Sequence, residues 1–322
     1  MLSEFDLIAR YFTRTPRRSD TTVLGVGDDC ALLAPPPGAQ LAISSDMLVE
    51  GRHFFPGADP KALGHKSLAV NLSDLAAMGA RPLGFTLALA LPEAEPDWLA
   101  GFSAGLLALA DLHGCELIGG DTTRGPLNIC ITVFGAVMPG QALRRDAARP
   151  GDDVWISGSL GDARLALAGY RQELALTPQE LDEAAPRMHR PTPRVALGTA
   201  LAGIAHAAID ISDGLAGDLG HILKRSGVGA ELDADALPAG PVLARRDAAL
   251  RREYTLAGGD DYELCFTAPT ERREEVLAAA LAAGTPVTRV GRIAAEPGLR
   301  LLDRDGRPLA LQPTSFDHFS ET

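Results

Sequence analysis

Two periodicities divide the chain. Apolar residues cluster in short strand-like runs near Val23–Val26, Leu41–Ser44, Phe85–Leu91, Glu116–Ile118 and Leu127–Val137. Between them, and after a short amphipathic opening helix, apolar positions recur at helical spacing over Lys61–Met78 and Asp97–His113. Pro60 at a first helical position predicts where the earlier of these helices starts, and Gly79 and Gly114 stand where left-handed C-caps are expected. Within that first helix Asn71 and Asp74 are three apart and therefore share a face.

The same alternation continues through the second half. Helices are predicted near Asp162–Tyr170, up to His206, over Leu215–Ser226 and from Glu271, with strands at Ala207–Ile211 and Tyr262–Thr267. The stretch through Pro193 reads as a polar, proline-rich connection. The turn-plus-strand sequence RPGDDVWISG, Arg149–Gly158, suggests a boundary just before Arg149. The expected fold class is α/β (α+β), with domains at 1–148 and 149–322. The tripeptide Gly-Gly-Asp occurs at 119–121 and again at 258–260, the one hint of internal duplication.

Composition agrees with two domains. There are 322 residues, 46% of them hydrophobic and 5% aromatic, so aliphatic and small side chains must build the core. A formal net charge of −12 argues against nonspecific nucleic-acid binding and against docking to an anionic membrane, both of which need basic surface. Cys30, Cys115, Cys130 and Cys265 form no CxxC pair, sit mostly in apolar stretches and read as buried free thiols of a cytoplasmic protein. No targeting segment and no run of about 18 apolar residues is present.

The chemistry lies in acidic residues placed beside glycine or at strand ends, with Asp74 a helix-borne member. They are Asp28 and Asp29 in GVGDDCALL, Asp46 in ISSDMLVEG, Asp74 in NLSDLAAMGA, Asp121 in LIGGDTTRG, and Asp210 and Asp213 in AIDISDGLAGDL. Taken singly each is more often a turn former than a ligand; together they suit Mg²⁺, which takes one or two carboxylates per ion plus substrate phosphates. So many carboxylates imply several ions and a polyphosphate. Ser212 reads as a helix cap, as part of a phosphate-binding helix N-terminus, or as both at once. No P-loop, dinucleotide fingerprint or nucleophile elbow occurs.

In order, FDLIARYF, GVGDDCALL, ISSDMLVEGRHF, AVNLSDLAAMGA, LIGGDTTRGPL, ARPGDDVWISG, DISDGLAGDL, GGDDYEL and SFDHF resemble the thiamine-monophosphate kinase family of the aminoimidazole ribonucleotide synthetase superfamily. The resemblance covers nearly the whole chain. It implies a two-domain fold, a homodimer formed through the N-terminal half, and ATP-dependent phosphorylation of thiamine monophosphate to thiamine diphosphate. It further implies Mg²⁺ ligands at Asp29, Ser44, Ser45, Asp46, Asp74, Asp121, Asp210 and Asp213. Gly120, Asp121, Arg145 and Ser212 would lie near ATP, with Arg144 an adjacent alternative to Arg145. His53, Glu263 and Phe316 would face the thiamine side. Without the motifs, His53 reads as a loop histidine, Glu263 as the solvent face of a strand and Phe316 as terminal packing.

Ala104 departs from the pattern, standing where many members carry a tyrosine beside the nucleotide. Residues 1–24 lack the Cys and Lys expected of a selenophosphate synthetase, and the ending SFDHFSET lacks the cysteine tail of a hydrogenase-maturation protein. A silent Mg-nucleotide-binding partner is the rival from another class.

Overall fold

The computed structural model describes residues 4–13 and 20–311. Contacts group them into two compact units: one of residues up to Leu75 together with Ala80–Pro139, the other of Ala76–Gly79 together with the chain from Gly140 onward.

The first unit opens with a single helical turn, α1 (Glu4–Leu7), and a short hairpin, β1 (Thr22–Leu24) and β2 (Leu32–Leu33). Its body is a four-stranded sheet built from β3 (Gln40–Val49), β4 (Arg81–Leu91), β5 (Glu116–Arg124) and β6 (Asn128–Val137), in the order β3-β6-β4-β5. Only the β4–β5 pair is parallel. Helices α2 (Pro60–Ala77) and α3 (Pro96–His113) supply the apolar cover, with Leu68, Leu72, Leu75, Leu99, Phe102 and Leu106 fully buried. The helices cross closely because Gly64 and Gly105 lack side chains: a Cβ on Gly105 would lie 1.9 Å from the Lys61 carbonyl. Asp59 caps α2, its carboxylate accepting the Ala62 N–H at 2.9 Å, and Gly114 ends α3 at φ 60°.

The second unit holds β7 (Asp153–Ser157), α4 (Asp162–Tyr170), α5 (Pro178–His189), α6 (Val195–Leu201), β8 (Ala207–Asp210), α7 (Leu215–Ser226), β9 (Gly229–Asp233), α8 (Ala248–Ala257), β10 (Leu264–Ala268), α9 (Arg273–Ala282), β11 (Val287–Ala294) and β12 (Gly298–Leu302). Its sheet runs β12-β9-β11-β7-β10-β8, antiparallel except for β12–β9. Ile156, Ile209, Leu219, Ile222, Leu232 and Cys265 belong to the core against which α7 packs. The segment before β7 packs with this unit, since Ala148 lies in that core and the Ser226 hydroxyl donates to the Arg145 carbonyl.

Several sequence expectations are corrected here. The strands expected at Leu41–Ser44 and Glu116–Ile118 extend to Val49 and Arg124, so Ser45, Asp46, Gly120 and Asp121 lie inside strands rather than in loops at their ends. The stretch read as a polar connection contains α5. Thr177 and Glu180 form a capping box there, and Pro178 sits at the first helical position. The helix expected to reach His206 ends at Leu201, the strand expected from Tyr262 starts at Leu264, and the helix expected from Glu271 begins as a 3-10 turn with α9 following at Arg273.

Candidate active site

In the first unit, alternation along β3 sends consecutive hydroxyls to opposite faces of the sheet. Ser44 donates to the Asp74 carboxylate on α2, whereas Ser45 lies 3.0 Å from the Thr132 hydroxyl and donates to the Ile131 carbonyl at 3.2 Å. Asp46, two residues after Ser44, gives its N–H to the Asn71 side chain of α2 at 3.1 Å. The shared face of Asn71 and Asp74 therefore meets β3 at two neighbouring points.

The register locates Asp121. One row runs Asp46, Ile131, Leu87, Gly120; the next runs Met47, Cys130, Ala88, Asp121. Asp46 and Asp121 stand three strands apart, roughly 14 Å at the usual strand spacing, in adjacent rows that project to opposite faces. Ser44, Asp46 and Asp74 thus gather on the α2 side, and Ser45 and Asp121 on the other. Gly120 is required where it is, because at φ 148° a Cβ would lie 1.9 Å from the Leu87 carbonyl. Just before it, Ile118 bulges out of the β4–β5 ladder.

His53 occupies the turn that closes β3, where the N–H groups of Arg52 and His53 donate to the Val49 carbonyl at 3.1 and 3.0 Å. Its Nδ1 accepts the Val49 N–H at 3.0 Å, so the neutral ring carries its proton on Nε2. Asp29 lies in an exposed loop and donates its N–H to the Asp28 carboxylate at 2.9 Å.

In the second unit the chain turns sharply after β8. Asp210 ends that strand, buried, and Ser212 and Asp213 precede α7. Asp218, in the first turns of α7, accepts the N–H groups of Ser212 and Asp213 on one oxygen, Oδ2, at 3.1 Å each. Burial pushes the Asp218 carboxyl up to about 7; the Asp213 N–H bond opposes this, the Asp213 charge reinforces it, and Arg145 lowers it. From the other side, Asp260 and Tyr262 donate their N–H groups to the carbonyls of Ser212 and Ile211, each at 2.8 Å. Both donors hold left-handed backbone, φ 68° and 49°, a strained choice for residues with side chains. Arg144 is engaged by Asp146 through two bonds, whereas Arg145 faces the charge of Asp218.

Glu263, expected on the solvent face of a strand in its plain reading, is instead 0% exposed. Oε1 accepts from Arg187 at 2.8 Å and Arg194 at 2.5 Å; Oε2 accepts from Ser157 at 2.6 Å and Arg194 Nε at 2.6 Å. A buried carboxylate needs such partners, and these come from β7, α5 and the entry to α6. Asp261, equally enclosed, accepts the Gly161 N–H on both oxygens, and burial raises its carboxyl well above the usual range. Sequence reasoning overlooked Arg187, Arg194 and Asp218, the first because it lies in the stretch read as a connection and the second because it directly follows that stretch. Phe316 lies outside the described residues. Ala104 is exposed on α3.

The chain matches the family model of the AIR synthase related protein N-terminal domain over residues 27–137, and that of the C-terminal domain over 149–304. It is 47% identical over 320 residues to the thiamine-monophosphate kinase of Salmonella typhimurium, covering 98% of each chain. The chain belongs to the thiamine-monophosphate kinase family. A crystal structure of the thiamine-monophosphate kinase from Stenotrophomonas maltophilia K279a superposes with a TM-score of 0.87 at 49% identity, covering 96% of this chain and 98% of the other. AaThiL complexed with AMPPCP and TMP gives 0.77 at 32% identity, covering 89% of each.

For this family member the Mg²⁺ expectation can be set against the donor chemistry. Ser44, Ser45, Asp46 and Asp74 offer only hydroxyl and carboxylate oxygens, the hard donors this ion takes. Among the described residues no three His, Cys, Asp or Glu side chains converge as a closed metal cage. Open sites completed by water and phosphate fit that arrangement better than an all-protein cage.

Proposed function

We propose that this chain transfers the γ-phosphoryl group of ATP to thiamine monophosphate, giving thiamine diphosphate and ADP. The observation that carries the reading is the oxygen-only constellation of Ser44, Asp46 and Asp74 between β3 and α2, in a chain 47% identical to a thiamine-monophosphate kinase. A phosphate oxygen of the acceptor displaces ADP in line at the γ-phosphorus. A phosphate monoester has its second pKa at about 6 and is mostly dianionic near neutral pH, so no strong general base is required.

Asp29, Ser44, Ser45, Asp46, Asp74, Asp121, Asp210 and Asp213 would hold Mg²⁺, and their distribution over both faces of the first unit's sheet supports more than one ion. Bound there, the ions would neutralise charge on the phosphates and on the departing ADP. Gly120, packed against the Leu87 backbone, would lie beside ATP together with Arg145, and the two bonds of Arg144 to Asp146 favour Arg145 over Arg144 for that role. Ser212, in the turn before α7, would contribute to ATP binding. His53 and Phe316 would contact the thiamine moiety; Glu263, with both oxygens occupied inside the protein, acts there through Arg187 and Arg194.

The reading extends to a cytoplasmic homodimer. Four free cysteines support a reducing compartment, and no described helix is long and apolar enough to cross a membrane. Leu41, Ile43 and Met47 are 47, 60 and 53% exposed along one face of β3, which supports a second copy as its cover. Incubation with Mg·ATP and thiamine monophosphate, with thiamine as control, tests the activity by chromatography. Equal amounts of thiamine diphosphate and ADP are expected. ATP turnover without thiamine diphosphate points to another reaction of the superfamily, and binding without turnover to a silent nucleotide-binding partner.

A further inference from the structure

We infer that Asp218 is a positioning residue for the phosphoryl transfer, holding the Ser212–Asp213 corner in its working shape; this rests on the role proposed above for those two residues. The corner has few local reasons to keep its form. It is a turn between β8 and α7 with Gly214 at φ 112°, and Ser212 and Asp213 lie beyond Asp210, the last residue of the strand. Asp218 meets both with one carboxylate oxygen while being 4% exposed itself. Opposite it, the Gly258–Tyr262 segment grips the carbonyls of Ile211 and Ser212, and approaches so closely that a Cβ on Gly259 would lie 2.4 Å from the Ser212 oxygen.

The corner is therefore braced on its N–H side by Asp218 and on its C=O side by the second Gly-Gly-Asp. Only the N–H side depends on a side chain, which makes it testable by substitution. Asp218 touches neither phosphate nor acceptor in this scheme. It acts by fixing where the Ser212 hydroxyl and Asp213 carboxylate stand, and displacement of a reacting constellation by about 1 Å can cost on the order of 100-fold in rate.

The test compares Asp218→Asn, whose amide oxygen still accepts both N–H bonds, with Asp218→Leu, of similar volume and unable to accept either. Amide hydrogen exchange of the metal-free, nucleotide-free protein is read over the peptide containing Ser212 and Asp213. The same two variants are assayed for kcat and for KM of ATP. Exchange in that peptide is expected to be at least about 10-fold faster in the Leu variant and near wild type in the Asn variant, with kcat/KM for ATP following the same order. Should the Leu variant not fold, Asp218→Ser, too short to reach the turn, takes its place. Equal loss in both variants, or unchanged exchange and kinetics in the folded Leu or Ser protein, overturns the inference. A wild-type protein that makes no thiamine diphosphate sinks the kinase reading alone, because the exchange comparison is made without substrate.

Discussion

Arg194 grips Glu263 with a planar fork, Nε on one carboxylate oxygen at 2.6 Å and Nη2 on the other at 2.5 Å. Arg187 and Ser157 complete the enclosure. Replacing Glu263 by Gln removes the charge that balances two largely buried guanidinium groups, and uncompensated buried charge of this kind costs about 3–5 kcal/mol. Glu263→Gln is therefore expected to lose stability of that order in urea melts as well as activity. A variant with wild-type stability and lost activity would instead mark Glu263 as a direct substrate contact.

Asp46 and Asp121 should behave in the opposite way. Neither is enclosed by the core, so Asn at either position is expected to leave stability within about 0.5 kcal/mol of wild type while lowering kcat by about 100-fold or more. Parallel measurement of melting and turnover separates the cases. A melting loss that matches the activity loss would remove either residue from the metal set.

Asp261 carries a pH signature. Its carboxyl is raised well above the ordinary range in the folded state, chiefly by burial, whereas the unfolded chain titrates near the usual carboxylate value. As pH climbs from about 4, the unfolded state releases this proton while the folded state keeps it, so the residue drains stability until the folded pKa is passed. Asp261→Asn removes the titration and still offers an oxygen to the Gly161 N–H. The melting temperature of the variant relative to wild type is expected to rise between pH 5 and pH 8; a flat or falling difference would show Asp261 to be ionised in the fold.

The four thiols should divide by burial. Contrary to the expectation of buried thiols, Cys30 is exposed and Cys130 half-buried, whereas Cys115 and Cys265 are fully enclosed, and burial pushes both of these thiols up, with the Asp218 charge adding to it at Cys265. A disulfide reagent at pH 8 is expected to label Cys30 within minutes and to reach Cys115 and Cys265 only in denaturant. Rapid labelling of Cys265 in the native protein would mean that the β8–β10 edge opens readily.

How much of this was legible in the chain depends on what each element needed from elsewhere. Helices α4 and α7 match the sequence reading at both ends, because their apolar spacing and flanking glycines are local properties. The full lengths of β3 and β5 were hidden by Ser-Ser-Asp and Gly-Gly-Asp, polar runs that these strands tolerate because most of their residues there are exposed or half-buried. Helix α5 was legible in Thr-Pro-Gln-Glu, yet Pro186 within it and Pro191 and Pro193 after it made the segment read as a connection.

The aspartates proposed as metal ligands stand out by motif, but not the two faces of the sheet on which Asp46 and Asp121 lie, since that follows from strand register. Glu263 looked like a surface residue because its alternation with Tyr262 and Leu264 is a local pattern. Its burial is made tolerable by arginines about 70 residues upstream, which no local reading could supply. Asp218 sat within the DISDGLAGDL motif from the start, but only the folded turn shows that it points back at the residues before it.

The bond from the Asp46 N–H to Asn71 has a consequence for how this sheet can meet another molecule. β3 is an outer strand, and at Asp46 its outward N–H is already spoken for by α2. An incoming strand would find that rung of the ladder taken and could not zip along the margin without prising Asn71 away. Any neighbour of β3 is thereby steered to stack against the flat of the sheet, over Leu41, Ile43 and Met47, and runaway strand-by-strand growth is opposed at Asp46 itself.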